Sequence, residues 1–270
     1  MNCSPLQKGK SKYTCFQKES LLKIAKAYNQ KNKDKIKLSN NRKILWNSIR
    51  NKMSSQCKQE WCWIDQDFVK KLKDKNIIEH TFKPKAPKSW KKNKYEWLST
   101  TDIDKVMKQY ERVYKDFMFI GPVPLDCYVG SNLSCELTNL NINNLVKNGI
   151  KKIGIIYNLD YSFMPGSHWV ALFVDTNKKD ITFFDSIGTP PPNEIVNLMK
   201  HFKNELKNIN INMRTNYSKK AHQKGNTECG IYSMNYLIQR LKGKSLTQIN
   251  KKRLPDKIMN EMRKHFYRNI

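Results

Sequence analysis

The sequence predicts an α+β fold, a mixed central sheet flanked by helices and preceded by a basic helical extension. Three observations predict it. Short, strongly apolar runs at 152–158, 168–175 and 181–185 read as buried strands. Apolar stripes at helical spacing flank them. The first 55 or so residues carry helical stripes and abundant lysine.

Along the chain, Leu21, Leu22, Ile24, Ala25 and Tyr28 form one helical stripe. An extended Lys35-Ile36-Lys37-Leu38 follows, and Ser39 precedes a second stripe through Ile44, Leu45, Ile49 and Met53. This lysine-studded helix, loop and helix loosely resembles small SAP-like DNA-binding modules. An amphipathic pair docked on the rest of the chain accounts for the same pattern. Residues 56–96 hold a Trp/Cys cluster and then Phe82-Lys83-Pro84-Lys85-Ala86-Pro87-Lys88, whose prolines forbid regular structure and predict a linker. Mixed α/β patterning begins at Trp97, which gives three regions: 1–55, 56–96 and 97–270.

Within the third region, Thr101 is positioned to cap a helix bearing Ile103, Val106, Met107 and Tyr110. The three strands follow. Ser186-Ile187-Gly188 and the prolines at 190–192 close the last of them. Residues 194–206 read as a helix. Another, bearing Ile231, Met234, Leu237, Ile238 and Leu241, follows Gly225-Asn226 and ends near Gly243. A final helix after Pro255 carries Ile258, Met259, Met262 and Phe266.

Composition narrows the class. The chain has 270 residues, enough to bury a real core. No apolar run approaches the roughly 20 residues of a membrane span, and no secretory signal pattern opens the chain, so a soluble, intracellular protein without membrane association is expected. Seven irregularly spaced cysteines with no Cys-x-x-Cys pair predict reduced thiols. Cys57, Cys62 and His80 lie near one another, but their spacing matches no common zinc finger, and packed free cysteines beside Trp61 and Trp63 are expected. The net charge of +28 favours nucleic acid or other polyanions as partners. High Lys, Asn and Ile usage, as in proteins from AT-rich genomes, accounts for much of the same charge.

Three segments place polar residues where packing would not. Gly166-Ser167-His168-Trp169 sets a histidine at the mouth of an apolar strand. Phe183-Phe184-Asp185-Ser186 ends the next strand on a carboxylate, which can fix the tautomer of that histidine if the strands are neighbours. Gln223-Lys224-Gly225-Asn226-Thr227-Glu228-Cys229-Gly230 delivers a cysteine to the start of a helix. There the unpaired N–H groups and the helix dipole favour the thiolate, the attacking form. The Cys229 N–H and the Gln223 amide can donate to an oxyanion, and Gly230 leaves room beside the sulfur. Each residue alone has a packing explanation; together, in the order His, Asp, Gln, Cys, they spell a cysteine protease.

That constellation resembles the adenain and ubiquitin-like-protein protease superfamily. Trp97-Leu98-Ser99-Thr100-Thr101-Asp102-Ile103 is similar to the Trp-Leu-Asn-Asp segment of SUMO-deconjugating proteases, departing from it at positions 99 and 100. The residues around His168 and Cys229 are most similar to the structural-polyprotein proteases of large DNA viruses, of the African swine fever virus type, a branch whose third member can be Asn where Asp185 stands here. The similarity covers roughly 97–270.

The resemblance implies a papain-like core with Cys at a helix N-terminus, and His168, Asp185, Gln223 and Cys229 as catalytic residues. It implies Trp169 and Trp97 as walls of a narrow tunnel that admits small residues before the scissile bond, and no cofactor. It further implies viral structural polyprotein precursors as substrates, in virion maturation at cytoplasmic assembly sites and in the virion. A SUMO- or ubiquitin-like deconjugating enzyme, and a basic DNA- or core-binding protein without activity, are the alternatives.

Overall fold

The computed structural model describes residues 2–128 and 135–269. It divides into two compact units, one running through Lys85 and including Tyr267–Asn269, the other Ala86–Phe266.

The first unit contains helices α1 (Lys18–Lys31) and α2 (Arg42–Met53), a 3-10 turn (Glu60–Asp65), and short helices α3 (Asp67–Lys70) and α4 (Lys75–Ile78). Leu21, Ile24 and Ala25 of α1 and Leu45, Ile49 and Met53 of α2 share one core with Ile36, Trp63, Val69 and Phe82. Asn41 caps α2, its side chain accepting from the Lys43 and Ile44 amides. The Trp/Cys cluster therefore packs with the first 55 residues. The division between units falls within the Pro/Lys stretch, and residues 86–96 count with the second unit, where Trp90 is buried under the Arg263 guanidinium, 4.7 Å from its ring centroid.

The cysteines correct the sequence reading. Cys3 pairs with Cys15, Cys57 with Cys62, and Cys127 with Cys135, their Cα atoms 5.1, 5.6 and 5.5 Å apart. Cys229 remains a free thiol. The pairs span 12, 5 and 8 residues, spacings that match no common disulfide framework.

The second unit contains a five-stranded sheet in the order β1 (Phe117–Pro124), β2 (Lys152–Asn158), β3 (Trp169–Asp175), β4 (Asp180–Phe184), β5 (Arg214–Tyr217). The outer pairs β1/β2 and β4/β5 are parallel and the inner pairs antiparallel, so the sheet is mixed and the fold α+β, as expected. All of β3 is buried, which explains its unbroken apolar run.

Helices cover both faces. α6 (Ile142–Lys147) and α7 (Asn193–Lys207) pack Ile142, Ile195, Leu198 and Phe202 against Val170, Leu172 and Val174 of β3. α5 (Thr100–Val113) packs on β1 and α8 (Cys229–Leu241) on β3. At Gly154 a Cβ would lie 2.9 Å from the Phe117 ring and 3.2 Å from Leu237, so glycine lets α8 approach the sheet. Ser99, rather than Thr101, caps α5 through a capping box with Asp102. α9 (Leu246–Asn250) and α10 (Asp256–Phe266) complete the unit. Among the described residues, no helix is long and apolar enough to cross a membrane.

Candidate active site

The antiparallel register of β3 and β4 builds the site. Ala171 pairs with Phe184, so the entrance to β3 and the exit from β4 lie at the same edge of the sheet. His168 immediately precedes β3 and Asp185 immediately follows β4. His168 Nε2 meets Asp185 Oδ1 at 2.6 Å. The carboxylate is 1 % exposed and also accepts the Ile187 amide at 3.1 Å. With Nε2 committed to Asp185, Nδ1 is the ring nitrogen left for Cys229, whose thiol influences the imidazole.

Cys229 is the first residue of α8 and is buried. Glu228 precedes it without capping the helix through its side chain, so α8 presents its first amides unblocked by a local side chain. Burial pulls the His168 imidazole down, but its hydrogen bond to Asp185 and the influence of Asp185 and Cys229 outweigh burial and push it up to about 9. The imidazole is thus held as a cation at neutral pH, between a carboxylate and a sulfur.

The loop before His168 is tied down independently. Asn158 Oδ1 accepts from the Asp160 and Ser167 amides, and Asp160 accepts from the Gly166 amide and the Ser167 hydroxyl. Gly166 has φ +97°, and a Cβ there would sit 2.6 Å from Asn158 Nδ2. Only glycine meets both conditions.

Gln223 is buried and doubly anchored. Its Oε1 accepts from Ser186 Oγ at 2.6 Å, and its Nε2 donates to the Gly225 carbonyl at 2.9 Å. The Ser186 carbonyl accepts the amides of His222 and Gln223. These contacts fix which end of the amide is oxygen and which is nitrogen, and leave one Nε2–H uncommitted by them. The dipeptide Asp185-Ser186 therefore holds the histidine with one side chain and the glutamine with the next. Burial keeps the neighbouring His222 imidazole below its ordinary value, and its Nδ1 accepts the Leu254 amide at 3.1 Å.

Trp169 is buried, and its indole donates to the Leu98 carbonyl at 3.0 Å. Trp97, one residue earlier, is 44 % exposed. A Cβ on Gly230 would lie 3.0 Å from Leu98 and 3.2 Å from Trp169, so this glycine makes room for those two side chains, where the sequence suggested room for the sulfur. Trp169 also borders an open cleft of about 240 Å³ with Pro122, Asp160, Tyr161, Met164 and Gly166.

The sequence reading missed Ser186, Glu228 and Asp256. Ser186 and Glu228 adjoin named site residues, which was the available signal. Asp256 lies 32 residues beyond Lys224, whose amide it accepts, and no local pattern links them.

Comparison with known proteins fits this geometry. Residues 144–270 match the Ulp1 protease family, C-terminal catalytic domain. A protein of Acanthamoeba polyphaga mimivirus that bears a thiol-protease name is 35 % identical over 288 residues, spanning 99 % of this chain and 93 % of that protein. The chain belongs to the Ulp1 protease family. It is a cysteine protease. A cysteine protease of African swine fever virus is 27 % identical over 259 residues, covering 88 % of this chain and 92 % of that one. The crystal structure of an African swine fever virus protease superposes with a TM-score of 0.71 at 24 % identity, covering 100 % of this chain and 96 % of that one, and so shares its fold.

Proposed function

We propose that this family member is an endopeptidase that cleaves viral structural polyproteins after Gly-Gly-like small-residue sites during virion maturation, at cytoplasmic assembly sites and in the virion. The observation that carries the chemistry is the His168–Asp185 contact at 2.6 Å, together with a free, buried Cys229 at the first position of α8 whose thiol influences that imidazole.

Cys229 attacks the scissile carbonyl as a thiolate, forming the C–S bond and a tetrahedral oxyanion. The Cys229 N–H and the remaining Gln223 N–H receive that oxyanion. His168 gives its proton to the leaving amine as the C–N bond breaks, then takes one from the water that hydrolyses the thioester. Asp185 keeps the ring oriented throughout.

Selectivity for small residues draws on Trp169, which borders the open cleft of about 240 Å³ beside the loop that carries His168. Trp169, bonded to the Leu98 carbonyl, and Trp97, the chain neighbour of Leu98, wall the approach in this reading and disfavour side chains before the cleaved bond. Relatives from two viruses bear thiol- and cysteine-protease names, which supports the protease chemistry; the polyprotein substrate is the step this proposal adds. A second reading, a SUMO-type deconjugating enzyme, draws on the name SUMO-1 cysteine protease carried by another African swine fever virus relative. A third proposal concerns the charge. Residues 1–85 carry 21 Lys and Arg against 7 Asp and Glu, and this unit tethers the enzyme to DNA.

The deciding experiment is cleavage of peptides carrying Gly-Gly-X, Ala-Gly-X and scrambled sites, alongside SUMO conjugates, by the wild type and by Cys229→Ala. Turnover of Gly sites by the wild type alone supports the endopeptidase. Preference for conjugates supports the second reading, and equal turnover by Cys229→Ala sinks both.

A further inference from the structure

Beyond the four residues of the proposed machinery, the loop that carries Gln223 is held from outside by an acidic side chain. Asp256, the first residue of α10, turns its carboxylate towards this loop: Oδ2 accepts the Lys224 amide at 3.1 Å and the Gly225 amide at 3.1 Å, and Oδ1 lies 3.3 Å from the same Lys224 amide. The Tyr232 hydroxyl, from the first turn of α8, lies 2.8 Å from Asp256 Oδ1 and 2.7 Å from the Leu254 carbonyl. Arg253 approaches the carboxylate at 3.5 Å. The carboxylate is thus fixed from two directions before it engages the loop.

Its partner is the peptide that matters most there. The Gly225 amide is bound by Asp256, and the Gly225 carbonyl accepts Gln223 Nε2 at 2.9 Å. On the far side, Ser186 grips Gln223 Oε1. From below, the Glu228 carboxylate accepts the Thr227 amide and hydroxyl and the Asn260 side chain, and a Cβ on Gly225 would lie 2.9 Å from Glu228 Oε2. The loop is therefore pinned to α10 at two points, through Asp256 and Asn260.

We infer that Asp256 is a positioning residue for peptide-bond cleavage: by clamping the Lys224 and Gly225 amides it sets the Gly225 carbonyl, and through that carbonyl the uncommitted N–H of Gln223 that meets the oxyanion. The inference rests on the proposed role of Gln223. One ionised carboxylate accepting two successive backbone amides fixes the direction of both, and an oxyanion donor must be in place before charge develops. Asp256 touches neither substrate nor sulfur, so its loss should impair the step that builds an oxyanion and spare reactions of Cys229 that build none.

The test compares Asp256→Ala and Asp256→Asn with the wild type in three assays. For peptide turnover, Asp256→Ala should lower kcat by roughly ten- to a hundredfold with KM changed by no more than about twofold. Asp256→Asn, which keeps one acceptor oxygen, should fall between. Alkylation of Cys229 by iodoacetamide, which forms no oxyanion, should keep its wild-type rate within about twofold. In 15N NMR, the Gly225 backbone amide and the Gln223 side-chain amide should exchange faster with solvent in Asp256→Ala. This last reading needs no substrate, so it stands even if the Gly-Gly reading fails and the wild type cleaves none of the peptides. Unchanged exchange at Gly225 and Gln223, or unchanged kcat in a wild-type-active assay, overturns the inference. Alkylation that collapses in parallel with turnover also overturns it, since Asp256 would then hold up the whole site.

Discussion

Ser186 Oγ donates to Gln223 Oε1 at 2.6 Å, and both side chains are buried. The residue after the histidine's carboxylate partner thus orients the amide on the other side of the site. Ser186→Ala strands the Gln223 oxygen without its donor, a cost of about 1–3 kcal/mol for a buried acceptor. The expected result is a fall in kcat of roughly tenfold or more with KM little altered. Steady-state kinetics on a Gly-Gly peptide would check it; a change in KM alone would show that Gln223 serves binding.

The His168 imidazole, pushed up to about 9 by Asp185 and Cys229 against the pull of burial, sets the alkaline side of the pH profile. Cleavage needs the imidazolium to protonate the leaving amine, so kcat/KM should decline as pH rises through about 9. Stability follows the same sign. The folded value lies above the unfolded value of about 6.5, so this contribution is complete below 6.5 and is lost as pH rises towards the folded value. An NMR titration of the ring should place its midpoint near 9 in the wild type and lower in Cys229→Ala. A wild-type midpoint at or below the ordinary value refutes the pairing.

Gly166→Ala puts a side chain at φ +97° and against Asn158 Nδ2. The strain alone should cost about 1–3 kcal/mol, which lowers Tm by several degrees in a chain this long, at roughly 2–4 °C per kcal/mol. Because the same loop delivers His168, kcat should fall as well. Calorimetry and turnover on one preparation test both effects; a Tm equal to that of the wild type means the loop relaxes without cost.

At Gly230 the added methyl meets Leu98 and Trp169 across 3.0 and 3.2 Å, so both must yield by a few tenths of an ångström. Gly230→Ala should weaken the bond from the Trp169 indole to the Leu98 carbonyl and lower kcat/KM for Gly-Gly peptides by roughly tenfold, about 1.4 kcal/mol. Iodoacetamide reactivity of Cys229 should survive. Unchanged selectivity and rate would separate Trp169 from substrate approach.

The sequence made the edge that carries the candidate site legible because its chemistry is local. His168, Asp185 and Cys229 each sit at a strand or helix end, where a polar residue interrupts an apolar pattern. The middle strands were legible for the same reason, since burial on both faces leaves an unbroken apolar run. β1 escaped because Pro122 and Pro124 break its pattern, and β5 because Arg214–Tyr217 is polar and largely exposed. The reach of Asp256 to Lys224 spans 32 residues, and the three cysteine pairs, 12, 5 and 8 residues apart, follow no common spacing, so neither was legible. Ser99 outcompeted Thr101 as the cap of α5 because Asp102, three residues on, completes the reciprocal pair.

The first unit is finished by residues from far along the chain. Arg268 donates from its backbone to the Pro84 carbonyl and from its side chain to Lys83, a pairing separated by 185 residues. Its guanidinium also lies 5.3 Å from the Trp61 ring centroid. Translation proceeds from the amino end, so the ribosome has made all of Ala86–Phe266 before these contacts become available. Closing so long a loop is entropically slow. The helical half can begin to fold early, but it receives its last interactions only when synthesis has passed the catalytic half, so any truncated translation product leaves its amino-terminal unit unsealed.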